Sequence, residues 1–214
     1  MRGKAAILIV GFAAWCGYCP AAPMPGVVAK SWELEFAFYD PQRISVVLPG
    51  DHDPTTFWYM LYTITNTTGK EIGFYPTFHL VTDRLDVVEG DYAVSPSVYD
   101  AIKARHKKVY PFFVDPMDMY GTIRQGEDNA RTSAVAFGQL DPEVNGFTIF
   151  VAGLSGEIVK VRNLTFQQAD PETGTNVRFF TLRKTMAIGY NIPGDRRTQP
   201  EARPVRSKLE WVMR

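Results

Sequence analysis

Apolar side chains recur at every second position along most of this chain. Trp32, Leu34, Phe36 and Phe38 alternate with Glu33, Glu35 and Ala37, the period of a strand with one buried face. Residues 44–48 are rich in β-branched side chains and predict a second strand, reached through Asp40-Pro41. Residues 55–66 form a long aromatic and β-branched run, which predicts a central strand covered on both faces. The run stops at Asn66-Thr67-Thr68-Gly69-Lys70, a strong turn signal, and residues 72–81 are expected to return as its hairpin partner.

One helix interrupts the pattern, over about 96–107. Ser95 suits the N-cap and Pro96 the first helical position, while Val98, Ile102 and the stem of Arg105 share a face. Further strands are predicted at 117–124, 132–137, 146–152, 158–161, 178–188 and 209–212, with Pro-, Gly- and Asp-rich loops between them. This density of strands predicts an all-β fold, an immunoglobulin-like antiparallel β-sandwich with one inserted short helix. Pro200 and Pro204 sit in a polar, basic stretch, yet Trp211, Val212 and Met213 follow it, so the stretch is expected to be an arm that docks a final strand. Residues 22–214 are therefore read as a single domain.

The first 21 residues follow a different rule. Arg2 and Lys4 give a positive start, residues 5–14 an apolar stretch, and Cys19-Pro20-Ala21 a small-x-small cleavage site before Ala22. Together they predict a signal peptide over 1–21, hence a secreted or periplasmic protein. The apolar stretch is too short to span a membrane, so cleavage would leave no transmembrane segment. A lipoprotein would need a small residue where Trp15 and Tyr18 stand.

The same stretch has a second reading. Trp15-Cys16-Gly17-Tyr18-Cys19 resembles the W-C-G-x-C motif of thioredoxin-like oxidoreductases, and Phe74-Tyr75-Pro76-Thr77-Phe78 resembles the cis-proline segment of that family. The resemblance implies a redox pair at Cys16 and Cys19. However, Pro20, Pro23, Pro25 and Gly26 follow Cys19, and interior prolines break the long helix such a site requires.

Composition narrows the partners. With Arg2 and Lys4 removed, 21 basic residues face 23 acidic ones, a balance that gives no reason to expect nucleic acid or an anionic membrane. Both cysteines belong to the leader, so the mature chain is expected to fold without disulfides.

Candidate chemistry is sparse. Asp51, His52 and Asp53 could supply a histidine and two carboxylates to a metal, as a metal-dependent hydrolase or a calcium-binding module would need; an ordinary solvated turn uses the same residues. Glu89-Gly90-Asp91 and Gly126-Glu127-Asp128-Asn129 are oxygen-rich loops that match no established calcium motif. Gly153-Leu154-Ser155-Gly156 places a serine among glycines, but between two strands, where a hairpin turn is expected. Asn66-Thr67-Thr68 and Asn163-Leu164-Thr165 satisfy the N-glycosylation pattern.

The segment 32–48 with its Asp40-Pro41-Gln42-Arg43, the string Gln125-Gly126-Glu127-Asp128-Asn129-Ala130-Arg131, Leu182-Arg183-Lys184-Thr185 and the closing Trp211-Val212-Met213-Arg214 resemble a family of uncharacterised exported bacterial proteins. That resemblance implies export and no site. The residues therefore lead to the expectation of a non-catalytic binding or scaffold protein of the cell envelope, needing no cofactor, with an envelope protein or a glycan as partner.

Overall fold

A computed structural model describes residues 22–91, 93–195 and 197–214. The predicted leader, with Cys16 and Cys19, lies outside the described residues. The strands are β1 (Glu35–Phe38), β2 (Gln42–Val47), β3 (Pro54–Thr65), β4 (Ile72–Phe74), β5 (Thr77–Thr82), β6 (Val87–Glu89), β7 (Gly121–Ile123), β8 (Arg131–Phe137), β9 (Gly146–Ala152), β10 (Ile158–Arg162), β11 (Phe179–Asn191) and β12 (Val205–Met213), with one helix, α1 (Pro96–His106), between β6 and β7. All pairings between these strands are antiparallel. The fold is all-β and sandwich-like, as its period-two sequence predicts.

Each main sheet is built around one long strand whose edge is shared by two shorter ones. In the first sheet β3 pairs with β2 through residues 54–59 and with β1 through 62–65, while β8 takes its other edge. In the second, β11 pairs with β10 through 179–183 and with β9 through 186–191, and β12 takes the other edge. Beyond β9 lie β5 and then β6.

Alternation on β3 explains how the layers assemble. Trp58, Met60, Tyr62 and Ile64 face the second sheet and pack with Phe78, Leu80, Phe147, Ile149, Ile188 and Tyr190. Phe57, Tyr59 and Leu61 point the other way, onto Val98 and Ile102 of α1. A strand covered on both faces reads as a near-continuous apolar run, which is how the sequence looks here.

Two expected hairpins are absent. Residues 72–81 do not pair with β3, whose edges are already filled by β1, β2 and β8. Instead β4 pairs with β7, and after Tyr75-Pro76 the chain enters the second sheet as β5, beside β9. Proline lacks the N–H a continuous strand would need, so Pro76 marks the crossing. Asn66 holds the departure from β3: its Nδ2 donates to Lys70 O and Ile123 O, both at 2.8 Å. Likewise residues 153–157 are no hairpin turn, because β9 and β10 both lie against β11. The segment is a break in one edge, and Lys184 N still donates to Glu157 O across it at 3.0 Å.

The predicted helix and the docked arm are both present. α1 begins after an extended Ser95, with Pro96 in its first turn. Residues 193–204 cross from β11 to β12, which is longer than the strand foreseen at 209–212. Gly90 and Asp91 tie the two sheets together, with Gly90 N donating to Phe78 O on β5 and Asp91 N to Ala136 O on β8. A Cβ at Gly90 would lie 2.6 Å from Val135 Cγ2, so this close approach requires glycine.

Candidate binding groove

The arm walls one side of an open groove. Its walls are the β1–β2 corner at Tyr39, Asp40 and Pro41, and the arm residues 200–204; Arg43 and Trp58 form its floor. The hollow measures about 450 Å³. A second hollow of about 220 Å³, walled by Leu140, Pro142, Val144 and Ile192, adjoins it and shares Arg43, Trp58 and Pro200. The first lies in the size range of small-ligand sites.

Arg43 positions the arm. Its Nη1 donates to Ala202 O at 2.7 Å and its Nη2 to Gln199 O at 2.9 Å, and the guanidinium lies 4.0 Å from the centre of the Trp58 ring. Burial lowers the Arg43 pKa from its ordinary value. Gln199, itself buried, donates to Asn145 Oδ1 at 2.7 Å, which fastens the arm to the loop before β9. The arm starts with a tight turn in which Asp195 Oδ1 accepts the N–H groups of Arg197 and Thr198, both at 3.0 Å. Hydrogen bonds from Thr198, then the Arg197 N–H, hold the Asp195 carboxylate below its usual pKa.

Beneath the groove runs a polar network. The Tyr59 hydroxyl donates to Gln42 Oε1 at 3.0 Å and lies 2.8 Å from His106 Nε2 at the end of α1. With the Tyr59 proton on Gln42, His106 Nε2 carries the donating hydrogen. Arg105 Nη1 donates to Arg43 O at 2.8 Å. Burial, then the Arg105 charge, lowers the His106 pKa and keeps the ring neutral at pH 7.

At the mouth, Tyr39 is 51% exposed and meets Tyr110 edge-on at 6.0 Å between ring centres. Asp40, Gln42, Glu201 and Arg203 add polar groups to the walls. Behind Asp40 the Tyr190 hydroxyl is buried; burial, then the Asp40 charge, raises its pKa. Chemically the groove combines aromatic surface with carboxylate and amide groups. Of its two guanidinium groups, that of Arg43 is committed to the arm, and that of Arg203 adds a positive charge to the wall.

The residues singled out in the sequence lie elsewhere. Asp51, His52 and Asp53 are all exposed in the turn between β2 and β3. His79 stands on β5 opposite Glu89, and His106 is bound to Tyr59. Among the described residues, no three His, Cys, Asp or Glu side chains are grouped so that they could hold a metal. In the 126–129 loop, Asn129 Nδ2 donates to Gln125 O at 2.7 Å. Ser155 is buried and accepts the Glu157 N–H at 3.1 Å. Both Asn-x-Thr asparagines are buried as well. In each, Oδ1 accepts the backbone N–H and the hydroxyl of the threonine two residues on.

Sequence reasoning noted the arm but missed what it builds. Arg43 and Ala202 are 159 positions apart, and no local pattern announces their meeting.

No family model, curated protein or solved structure matches the chain. Among the described residues, no helix is long and apolar enough to cross a membrane.

Proposed function

We propose that the protein is an exported, non-catalytic binding module of the cell envelope, and that a glycan chain lies along the arm groove. The supporting observation is the groove itself, open, extended through two adjoining hollows, and edged by Tyr39 with Asp40, Gln42 and Glu201 around it. Aromatic rings stack on the apolar faces of sugars while carboxylates and amides take their hydroxyls, and rigid rings do so at low entropic cost. The N-terminal segment, with its Arg2 and Lys4 before an apolar run, supports export.

The test is co-sedimentation with insoluble wall polysaccharide from a bacterial envelope, with protein-free and glycan-digested pellets as controls. Retention on the intact glycan, lost in Tyr39→Ala and weakened in Glu201→Gln, is the expected result. Equal retention of all three proteins, or none of the native chain, overturns the reading. Fractionation with N-terminal sequencing tests export separately, with Ala22 expected as the first residue of the mature chain.

A further inference from the structure

A separate hollow lies on the opposite side of β3 from the sandwich core, between α1 and the segment that follows it. It measures about 290 Å³ and is lined by Val94, Pro96, Tyr99, Pro116 and Met117, with the carboxyl groups of Asp91, Asp100 and Asp115 among them. Hydrocarbon dominates the walls, and the polar groups are almost all acidic.

Asp91 is the innermost of the three. It enters from the Gly90–Asp91 link between the sheets, and its Oδ1 accepts both the Tyr99 hydroxyl and, at 2.9 Å, the Ala136 N–H. Neither bond involves Oδ2. No cation is paired with Asp91 among the described residues, and burial raises its pKa even though the Tyr99 and Ala136 bonds oppose the shift. Asp100 is exposed on α1. Asp115 lies 3.6 Å from Lys103 Nζ, and both side chains are about half exposed at the rim. Lys103 thus offsets one carboxylate at the mouth and leaves the interior acidic.

A half-buried carboxylate without a counter-ion is costly, and a cation that desolvates beside it gains in proportion. An inorganic ion would leave the apolar walls idle. A hydrated sugar would leave the carboxylates unneutralised. A small organic ammonium ion satisfies both: its charge faces Asp91 and Asp100, its hydrocarbon body meets Val94, Pro96, Pro116 and Met117, and the Tyr99 ring offers a cation–π face. We infer that this hollow is a binding site for a small organic ammonium ion, with Asp91 as the principal anion. The inference is independent of the glycan groove, whose lining shares no residue with this hollow.

Calorimetric titration of the full chain with benzylamine, and with its neutral analogue benzyl alcohol, tests this inference. Benzylamine is expected to bind saturably and the alcohol not to. Asp91→Asn keeps both acceptor bonds of the native oxygen, so the fold is retained, and the charge loss should weaken benzylamine at least tenfold, in line with hydrogen bonds to charged groups. The exposed pair Asp100→Asn and Asp115→Asn gives a second handle that does not touch the core, expected to weaken binding roughly threefold each. Equal binding of amine and alcohol, no saturable binding of the amine, or unchanged affinity in all three variants overturns the assignment.

Discussion

The guanidinium of Arg43 lies 4.0 Å over the ring of Trp58, the residue directly opposite it in the β2–β3 register. Cross-strand partners share a face, so the cation and the indole meet without any excursion of the backbone. The same guanidinium then uses two of its N–H groups on the arm. One side chain thus links the first sheet to the segment that closes the second.

Arg43→Lys should therefore be costly although charge is conserved. Lysine cannot supply two parallel donors, and at least one carbonyl of Gln199 or Ala202 loses its partner, at about 2 kcal/mol. Urea unfolding measures the loss. Arg84→Ala is the control: Arg84 pairs with Glu143 at 2.8 Å on an exposed surface, where solvent screens the pair, and its removal should shift the unfolding midpoint far less than Arg43→Lys does.

Lys184 offers a contrasting case. It is 3% exposed, bonded to Glu33, 3.6 Å from Glu157 Oε2, and 4.9 Å from the centre of the Trp211 ring. Glu157 Oε2 is buried without a hydrogen bond, so this lysine is its only close source of positive charge among the described residues. Lys184→Met should cost about 3–5 kcal/mol, because a carboxylate is left buried and uncompensated. Adding Glu157→Gln to that variant should restore part of the loss, as read from thermal unfolding.

The Asp91 carboxyl has a raised pKa in the folded protein, above its unfolded value. Its favourable contribution is complete below the unfolded pKa and is lost as pH rises through the folded one. Asp91→Asn removes the ionisation, so the variant should gain stability relative to the native chain as pH rises from about 4 to 7. A constant stability difference across that range contradicts the assignment.

His106 behaves in the opposite sense. Its folded pKa is lowered, so stability is fully present above the unfolded value of about 6.5 and declines as pH falls through the folded pKa. Denaturation at pH 7.5 and pH 5 should show the native chain losing stability relative to His106→Gln as the pH falls, since the other titrating groups are common to both. The ring titration followed by NMR should have its midpoint below that of a free histidine.

Local chemistry was legible in the sequence, and long-range pairing was not. The alternation on β3 set both of its faces, and Pro96 marked the start of α1, because each depends on neighbours within a few residues. The turn at Asn66 was legible too, through side-chain geometry that reaches only two positions, whereas Asn163, read only as a glycosylation pattern, makes the same turn unannounced. Strand order is another matter. The turn after Asn66 looked like a hairpin, and only the prior occupation of both β3 edges by β1, β2 and β8 forces the chain onward. The groove was illegible for the same reason, since Arg43 is an ordinary strand residue until residues 199–202 pass over it. Asp91 sat inside a string noted for oxygen content, but its burial comes from Ala136 and Tyr99, which the string does not contain.

The long strand β11 carries a consequence for how the molecule comes into being. Its partners begin at Gly146 and end at Met213, β9 in turn needs β5 from residue 77, and Lys184 waits for Glu33 across 151 positions. Few of these contacts can form early, since each closes a large loop before it returns any stabilisation. Folding should be slow for the chain's size, and a protein truncated before β12 should remain uncollapsed and vulnerable to proteases.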